Sequence, residues 1–185
     1  RSQPFLKLNG KFFIDYTLNE LIKSSNIHKI IITSPSQSVI DYINKNYSNN
    51  KISLLKRSIE ESRINIPLTK TINSCLNSIG NLTEFDSFLL TTIETPFKRH
   101  DLIDSSVNTK LIFDVDCVIG LRQFERTIYN HNGKGMLPLN NQKTNLKLER
   151  KQNYASGPGF ILRDIKKYMS TDSIIGKRIG HIMFD

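Results

Sequence analysis

The sequence predicts an α/β fold of three layers, with a mostly parallel sheet covered by helices on both faces. Three observations carry this expectation. Apolar segments of strand length and of helix length alternate along the chain, the pattern of parallel strands joined by helical crossovers. The strand-length runs Lys29–Thr33 (KIIIT) and Phe88–Thr91 (FLLT) lack polar alternation, as strands covered on both faces do. At Phe88–Arg99, FLLTTIETPFKR, one such run passes straight into polar residues, a Pro turn and two cations. Ligands of open α/β sheets sit beyond the carboxyl ends of the strands, and Lys98 and Arg99 suit a phosphorylated ligand at that spot.

Each element follows from local pattern. Arg1–Lys11 reads as a loop. Phe12–Ser25 reads as a helix with Phe13, Leu18, Leu21 and Ile22 on its apolar side. Lys29–Thr33 is a buried strand ended by Ser34-Pro35-Ser36, and Ser36 or Ser38 caps a helix whose Val39, Ile40 and Ile43 point inward. Ile52–Leu55 is a short strand before Lys56-Arg57. Pro67 suits the first turn of a helix in which Leu68, Ile72, Cys75, Leu76 and Ile79 recur at helical spacing. Ser87–Thr91 is a strand, His100–Val107 a helix, Cys117–Leu121 and Phe160–Leu162 strands, Arg163–Met169 a short helix, and Ile179–Phe184 a closing strand. Ser156–Gly159, SGPG, reads as a tight turn able to bring backbone N–H groups to a ligand. Residues 124–149 break the rhythm and read as an inserted hairpin or arm, with Asn132-Gly133 as its turn.

Composition narrows the function. The 185 residues suffice for one domain with a substantial core, at 38% hydrophobic residues. Mean hydropathy is −0.33, and no apolar run approaches a membrane span, so a soluble cytoplasmic protein is expected. The net charge of +9 is spread along the chain, without a basic tail or aromatic-interleaved RNA signature, which argues against a nucleic-acid binder. Cys75 and Cys117 have no His or second Cys at metal spacing and read as buried reduced thiols. None of the four His belongs to a hydrolase-type elbow motif.

The ordered set of motifs resembles the CMP-N-acylneuraminate synthetases, the cytidylyltransferases that activate acidic sugars. Arg1–Ile14 (RSQPFLKLNGKFFI) resembles the end of their nucleotide loop and the entry to the first helix, and Ile30–Ile40 their second strand and turn. Lys56-Arg57-Ser58 stands where they carry Arg-Pro, and Leu89–Arg99 resembles their L-L-Q-x-T-S-P-L-R. Asp116–Leu121 is similar to D-S-V-I-S-V, and Arg150–Leu162 to their R-R-Q segment. The chain departs from the family where Gln and the central Thr of Q-x-T-S-P become Thr92 and Glu94, and where the Asp after the second strand is replaced within Ser34-Pro35-Ser36. The family's Gly-rich loop and Asp-x-Asp metal motif fall outside residues 1–185, so these residues alone are expected to be inactive.

The resemblance implies a Rossmann-like fold of the nucleotide-diphospho-sugar transferase type and transfer of CMP from CTP to a sialic-acid-like sugar, with release of pyrophosphate. Such chemistry rests on positioning and charge neutralisation. It implies Arg1, Ser2, Gln3, Arg57, Thr69 and Thr92 at the nucleotide, and Thr95, Arg150, Gln152 and Tyr154 at the sugar acid, where an Arg fork suits a carboxylate. Glu94 stands where related CMP-Kdo synthetases hold Mg²⁺ through an Asp, which implies Mg²⁺ or Mn²⁺ here; a turn carboxylate paired with Lys98 or Arg99 is the alternative. A frayed terminus (Arg1–Gln3), a surface Arg (Arg57), helix-start packing (Thr69), a helix cap (Thr95) and a solvated charge run (Lys147–Lys151) are the corresponding alternatives. The inserted arm implies a homodimer. A transferase for another nucleotide or sugar, or a non-catalytic family member that binds nucleotide or a partner, are the competing functions.

Overall fold

The computed structural model describes residues 3–63, 65–139 and 152–184. The α/β architecture expected from the sequence is present, and its layers are visible in how one strand distributes its side chains. In β5 (Ser87–Thr91), Leu89 packs on one apolar cluster while Phe88 and Leu90 pack on another. The first cluster joins the sheet to α1 (Phe13–Lys23), α2 (Gln37–Asn46) and α4 (His100–Phe113). The second joins it to α3 (Leu68–Asn77) and α5 (Ile165–Thr171). Successive side chains of a strand point to opposite faces, so the sheet lies between two helical layers.

Chain order explains most of the arrangement. The segment expected to be a loop holds a small hairpin, β1 (Lys7–Leu8) with β2 (Lys11–Phe12). Its turn is Asn9-Gly10, at φ +48° and +78°, a conformation that Asn and Gly tolerate best. α1 buries Ile14, Leu18 and Leu21. At its C-terminal end Asp104 of α4 accepts hydrogen bonds from the Ser24 hydroxyl (2.5 Å), the Ser25 hydroxyl (3.2 Å) and the Asn26 amide side chain (3.0 Å). The α1–α2 contact is fixed by Asp15, whose carboxylate accepts from Tyr42 (2.9 Å) and Tyr47 (2.7 Å). β3 (Ile30–Ser34) and β4 (Ile52–Lys56) pair in parallel, Ile30 opposite Ile52.

The four-stranded sheet runs β10-β6-β9-β5. β10 (Ile179–Met183) is parallel to β6 (Cys117–Phe124), whereas β9 (Asn153–Asp164) is antiparallel to both β6 and β5. The sheet is therefore mixed at β9. Ser156–Gly159 is not a tight turn but part of β9, whose register with β6 shifts between Ile119 and Leu121. Gly159 lies at φ +70°, so the irregularity sits where glycine was available. α4 continues six residues past its expected end, because Leu111, Ile112 and Phe113 are exposed and give no periodic signal; Asp114, left-handed at φ +48°, stops it. Within residues 124–149, β7 (Tyr129–His131) and β8 (Met136–Pro138) form a hairpin across Asn132-Gly133; residues 140–149 lie outside the described part. No helix among the described residues is long and apolar enough to cross a membrane.

Candidate functional site

The carboxyl ends of β3, β4 and β5 converge. Arg57 follows β4 and is anchored by its backbone, its N–H donating to the Ser34 carbonyl at the end of β3 (3.2 Å). Its guanidinium crosses to α3, where Nη1 donates to the Thr71 hydroxyl (3.3 Å). Nε is buried and without a partner among the described residues. Thr92 leaves the end of β5. Its N–H donates to Gly159 of β9 (3.3 Å), and its hydroxyl is buried and equally unpartnered. Arg57 and Thr92 line one cavity of about 510 Å³, bounded also by α1, α3, β3 and β5. A buried donor without a partner costs about 1–3 kcal/mol. Two such groups on one cavity wall offer an oxygen-rich anion a guanidinium N–H and a hydroxyl.

The loop after β5 is shaped by a residue whose role differs from the one that the sequence suggests. Lys98 was expected to meet ligand phosphate, but it is only 2% exposed. Its ammonium donates to the Thr92 carbonyl and to the Thr95 carbonyl (2.6 Å), so it ties the turn together from inside. Burial lowers its pKa to about 8, against a smaller opposing pull from Glu94. Arg99 is directed to Asp101 (2.5 Å), not held over the strand end. Thr95 does not cap α4, whose N-cap is Arg99. Glu94 is exposed at the crest of this turn, within electrostatic reach of Lys98. Among the described residues no three His, Cys, Asp or Glu side chains cluster as a metal cage. Gly159 completes the support of Thr92: a Cβ there would come within 2.2 Å of the Thr92 hydroxyl oxygen.

The remaining predicted residues that are described lie on separate elements. β9 runs antiparallel to β5, with Phe160 opposite Thr91, so its earlier residues extend beyond the carboxyl end of β5. There Tyr154 pairs with Gln123 of β6 and is half-exposed, its hydroxyl donating to Gln152 Oε1 (2.7 Å). Gln152 and Tyr154 thus hold each other and do not line the cavity of Arg57. Gln3 is exposed in a single 3₁₀ turn, Gln3–Phe5, whose Pro4 does line that cavity. Thr69 lies in the first turn of α3 beside the lining residues Leu68 and Thr71. Arg1, Ser2 and Arg150 lie outside the described residues. Sequence reasoning misses the supporting roles of Lys98, Thr71 and Gly159: it assigns Lys98 to phosphate and Gly159, within SGPG, to a turn, and it offers no signal for Thr71.

No protein-family model matches the sequence, and no curated protein matches it. Solved structures do match. One is the 4-diphosphocytidyl-2C-methyl-D-erythritol synthase of Anaerococcus prevotii, at a TM-score of 0.70 and 14% identity over 100% of this chain and 82% of that one. A second is a CMP:2-keto-3-deoxy-manno-octonic acid synthetase complexed with CTP, at 0.65 and 8% identity over 98% and 83%. The chain has the fold of the cytidylyltransferases. A third match, the 2-C-methyl-D-erythritol 4-phosphate cytidylyltransferase of Francisella tularensis, gives 0.61 and 17% identity over 88% of this chain and 66% of the other. At these identities it is the backbone arrangement that is shared, and residue roles in this chain rest on its own geometry.

Proposed function

We propose that the protein is a cytidylyltransferase that transfers CMP from CTP to an acidic, sialic-acid-like sugar and releases pyrophosphate. The observation that carries the reading is the shared cavity of Arg57 and Thr92 at the strand ends, in a fold shared with enzymes of cytidylyl transfer. The unpartnered Arg57 Nε and Thr92 hydroxyl supply donors for the nucleotide, with Gln3 and Thr69 at the margin; Arg1 and Ser2 are assigned to the nucleotide by the resemblance alone. Their part is to fix the α-phosphorus in line with the attacking sugar hydroxyl and to balance charge as pyrophosphate departs. Gln152 and Tyr154 at β9 and Thr95 in the turn after β5 receive the sugar acid, with Arg150 assigned to it by the resemblance alone.

Glu94 is the proposed ligand for Mg²⁺ or Mn²⁺. A lone exposed carboxylate fits such an ion, because Mg²⁺ commonly takes one or two carboxylates and fills its other positions with water and substrate phosphate. The bound ion would neutralise phosphate charge. Lys98 has a separate duty, which is to hold the turn that presents Glu94.

The decisive experiment is pyrophosphate release by the full-length protein with CTP and a nine-carbon keto acid, beside a thermal-shift comparison of CTP, UTP, GTP and ATP. Turnover with CTP, abolished by Arg57→Ala, is expected. No pyrophosphate with any such acid, or stabilisation by another nucleotide only, rejects the reading.

A further inference from the structure

Arg57 reaches the cavity from a segment that does little to orient it. Its backbone is tied to the end of β3, but between β4 and α3 the described chain holds only the 3₁₀ turn Glu60–Ser62. An arginine side chain carries about 2 kcal/mol of rotamer entropy, so a guanidinium that meets a ligand in one orientation has to be fixed by another group. α3 supplies that group. Of its residues that line the cavity, Leu68, Thr71, Ile72, Cys75 and Leu76, Thr71 alone has a side-chain oxygen. Its hydroxyl accepts from Arg57 Nη1 at 3.3 Å, the one hydrogen bond of the guanidinium among the described residues. Cys75, one helical turn further on, stands within electrostatic reach of the same guanidinium, which therefore lies along this face of α3.

The choice of nitrogen matters. A guanidinium is planar and holds its N–H groups in fixed directions. Nη1 lies on the Cδ side, whereas Nε–H and Nη2–H point together along the opposite edge. Holding Nη1 on α3 therefore leaves that two-donor edge open. Neither Nε, which is buried, nor Nη2 has a partner among the described residues. Two parallel N–H groups match two adjacent acceptor atoms, which makes a bidentate arginine contact both strong and directional. Thr71 is itself well held: it is 8% exposed, and a branched side chain in a helix has few rotamers. Without its hydroxyl Nη1 would lose its acceptor, and the guanidinium would turn to recover one, taking the Nε–Nη2 edge with it.

We propose that Thr71 is a positioning residue of the nucleotide site, acting through Arg57 to aim the Nε–Nη2 edge at two adjacent acceptor atoms of the bound nucleotide. This role rests on the reading of Arg57 as a nucleotide ligand and adds what gives that contact its direction. The acceptors are two oxygens of a phosphate or two neighbouring lone-pair atoms on the edge of the base, since a guanidinium fork matches either pair.

The test is NMR titration of the full-length protein with CTP and with cytidine, which reads millimolar as well as micromolar affinities. It compares the wild type, Thr71→Val, Thr71→Ser, Arg57→Ala and the double variant Thr71→Val/Arg57→Ala. Thr71→Val keeps the branched shape and removes the acceptor, and is expected to weaken CTP binding by about 10-fold or more, as loss of a hydrogen bond to a charged group does. Thr71→Ser restores the acceptor and is expected to bind within about 3-fold of the wild type. The double variant is expected to bind no more weakly than Arg57→Ala, because both changes remove one interaction; a residue that only packs α3 would add its loss to that of Arg57→Ala. Weakening shared by cytidine puts the acceptor pair on the nucleoside, and weakening confined to CTP puts it on the phosphates; both support the proposal. Unchanged CTP affinity in Thr71→Val, no recovery in Thr71→Ser, or additive losses in the double variant overturns it. Arg57→Ala that binds CTP as tightly as the wild type rejects the nucleotide reading itself, whereas an unchanged Thr71→Val beside a weakened Arg57→Ala rejects the role of Thr71 alone.

Discussion

Lys98 makes stability respond to alkaline pH in an unusual direction. A lysine whose folded pKa lies near 8 rather than 10.5 is destabilised in its charged form by burial. Between those values the unfolded chain binds the proton and the folded chain does not, so unfolding takes up protons and stability rises with pH. At 1.36 kcal/mol per tenfold the whole displacement is worth about 3 kcal/mol, and the interval from about pH 7.5 to 9.5 captures roughly 2 kcal/mol of it. The gain survives deprotonation because a neutral amine keeps two N–H donors, enough for the Thr92 and Thr95 carbonyls. Other groups titrate in this range: Tyr42, raised to about 12 by burial and by Asp15, pulls the opposite way. The measurement is therefore a difference. Urea unfolding of the wild type and of Lys98→Met at several pH values is expected to show the wild type gaining roughly 2 kcal/mol relative to the variant from pH 7.5 to 9.5. A gap that stays flat with pH refutes the desolvated lysine and with it the internal tie of the Glu94 turn.

Gly159→Ala forces a Cβ to within 2.2 Å of the Thr92 hydroxyl at φ +70°, and a loss of about 2–3 kcal/mol in chemical denaturation, larger than for Gly135→Ala in open space, is expected. Asp104→Ala removes the acceptor shared by Ser24, Ser25 and Asn26, and should cost about 1.5–3 kcal/mol with faster exchange confined to the end of α1. The β7–β8 hairpin exposes Met136, Leu137 and Leu139; if it joins two copies, Leu137→Glu turns a dimer into a monomer by sedimentation without lowering the monomer's stability by more than about 1 kcal/mol.

Ser87–Thr91 was legible in the sequence to the residue, because a strand covered by two clusters is apolar on both faces, here at Phe88, Leu89 and Leu90. The direction of β9 was not. Its apolar core is short, and SGPG carries the composition of a turn while the neighbouring β6 absorbs it as a register shift. Asn9-Gly10 did carry a hairpin signal, but two-residue strands leave too little pattern beside it. At the candidate site, Arg57 and Thr92 could be read because each follows a strand end. Lys98 could not: nothing local distinguishes a lysine that turns inward onto two carbonyls from one that points to solvent, and only the assembled turn decides it.

The placement of β9 has a consequence for synthesis. β5 and β6 do not touch within the sheet; each is completed by a strand that lies between them and is translated after both. At about 5–20 residues per second, roughly 70 residues separate β5 from β9, so its partner edge waits for roughly 4–14 s on the ribosome. During that interval Phe88, Leu89 and Leu90 have no hydrogen-bonded neighbours on that side, and Phe88 and Leu90 also lack the α5 cover that follows β9. A nascent chain stalled before residue 153 is thus the form of this protein most prone to capture by chaperones, and slowing translation there should lower soluble yield more than slowing it earlier.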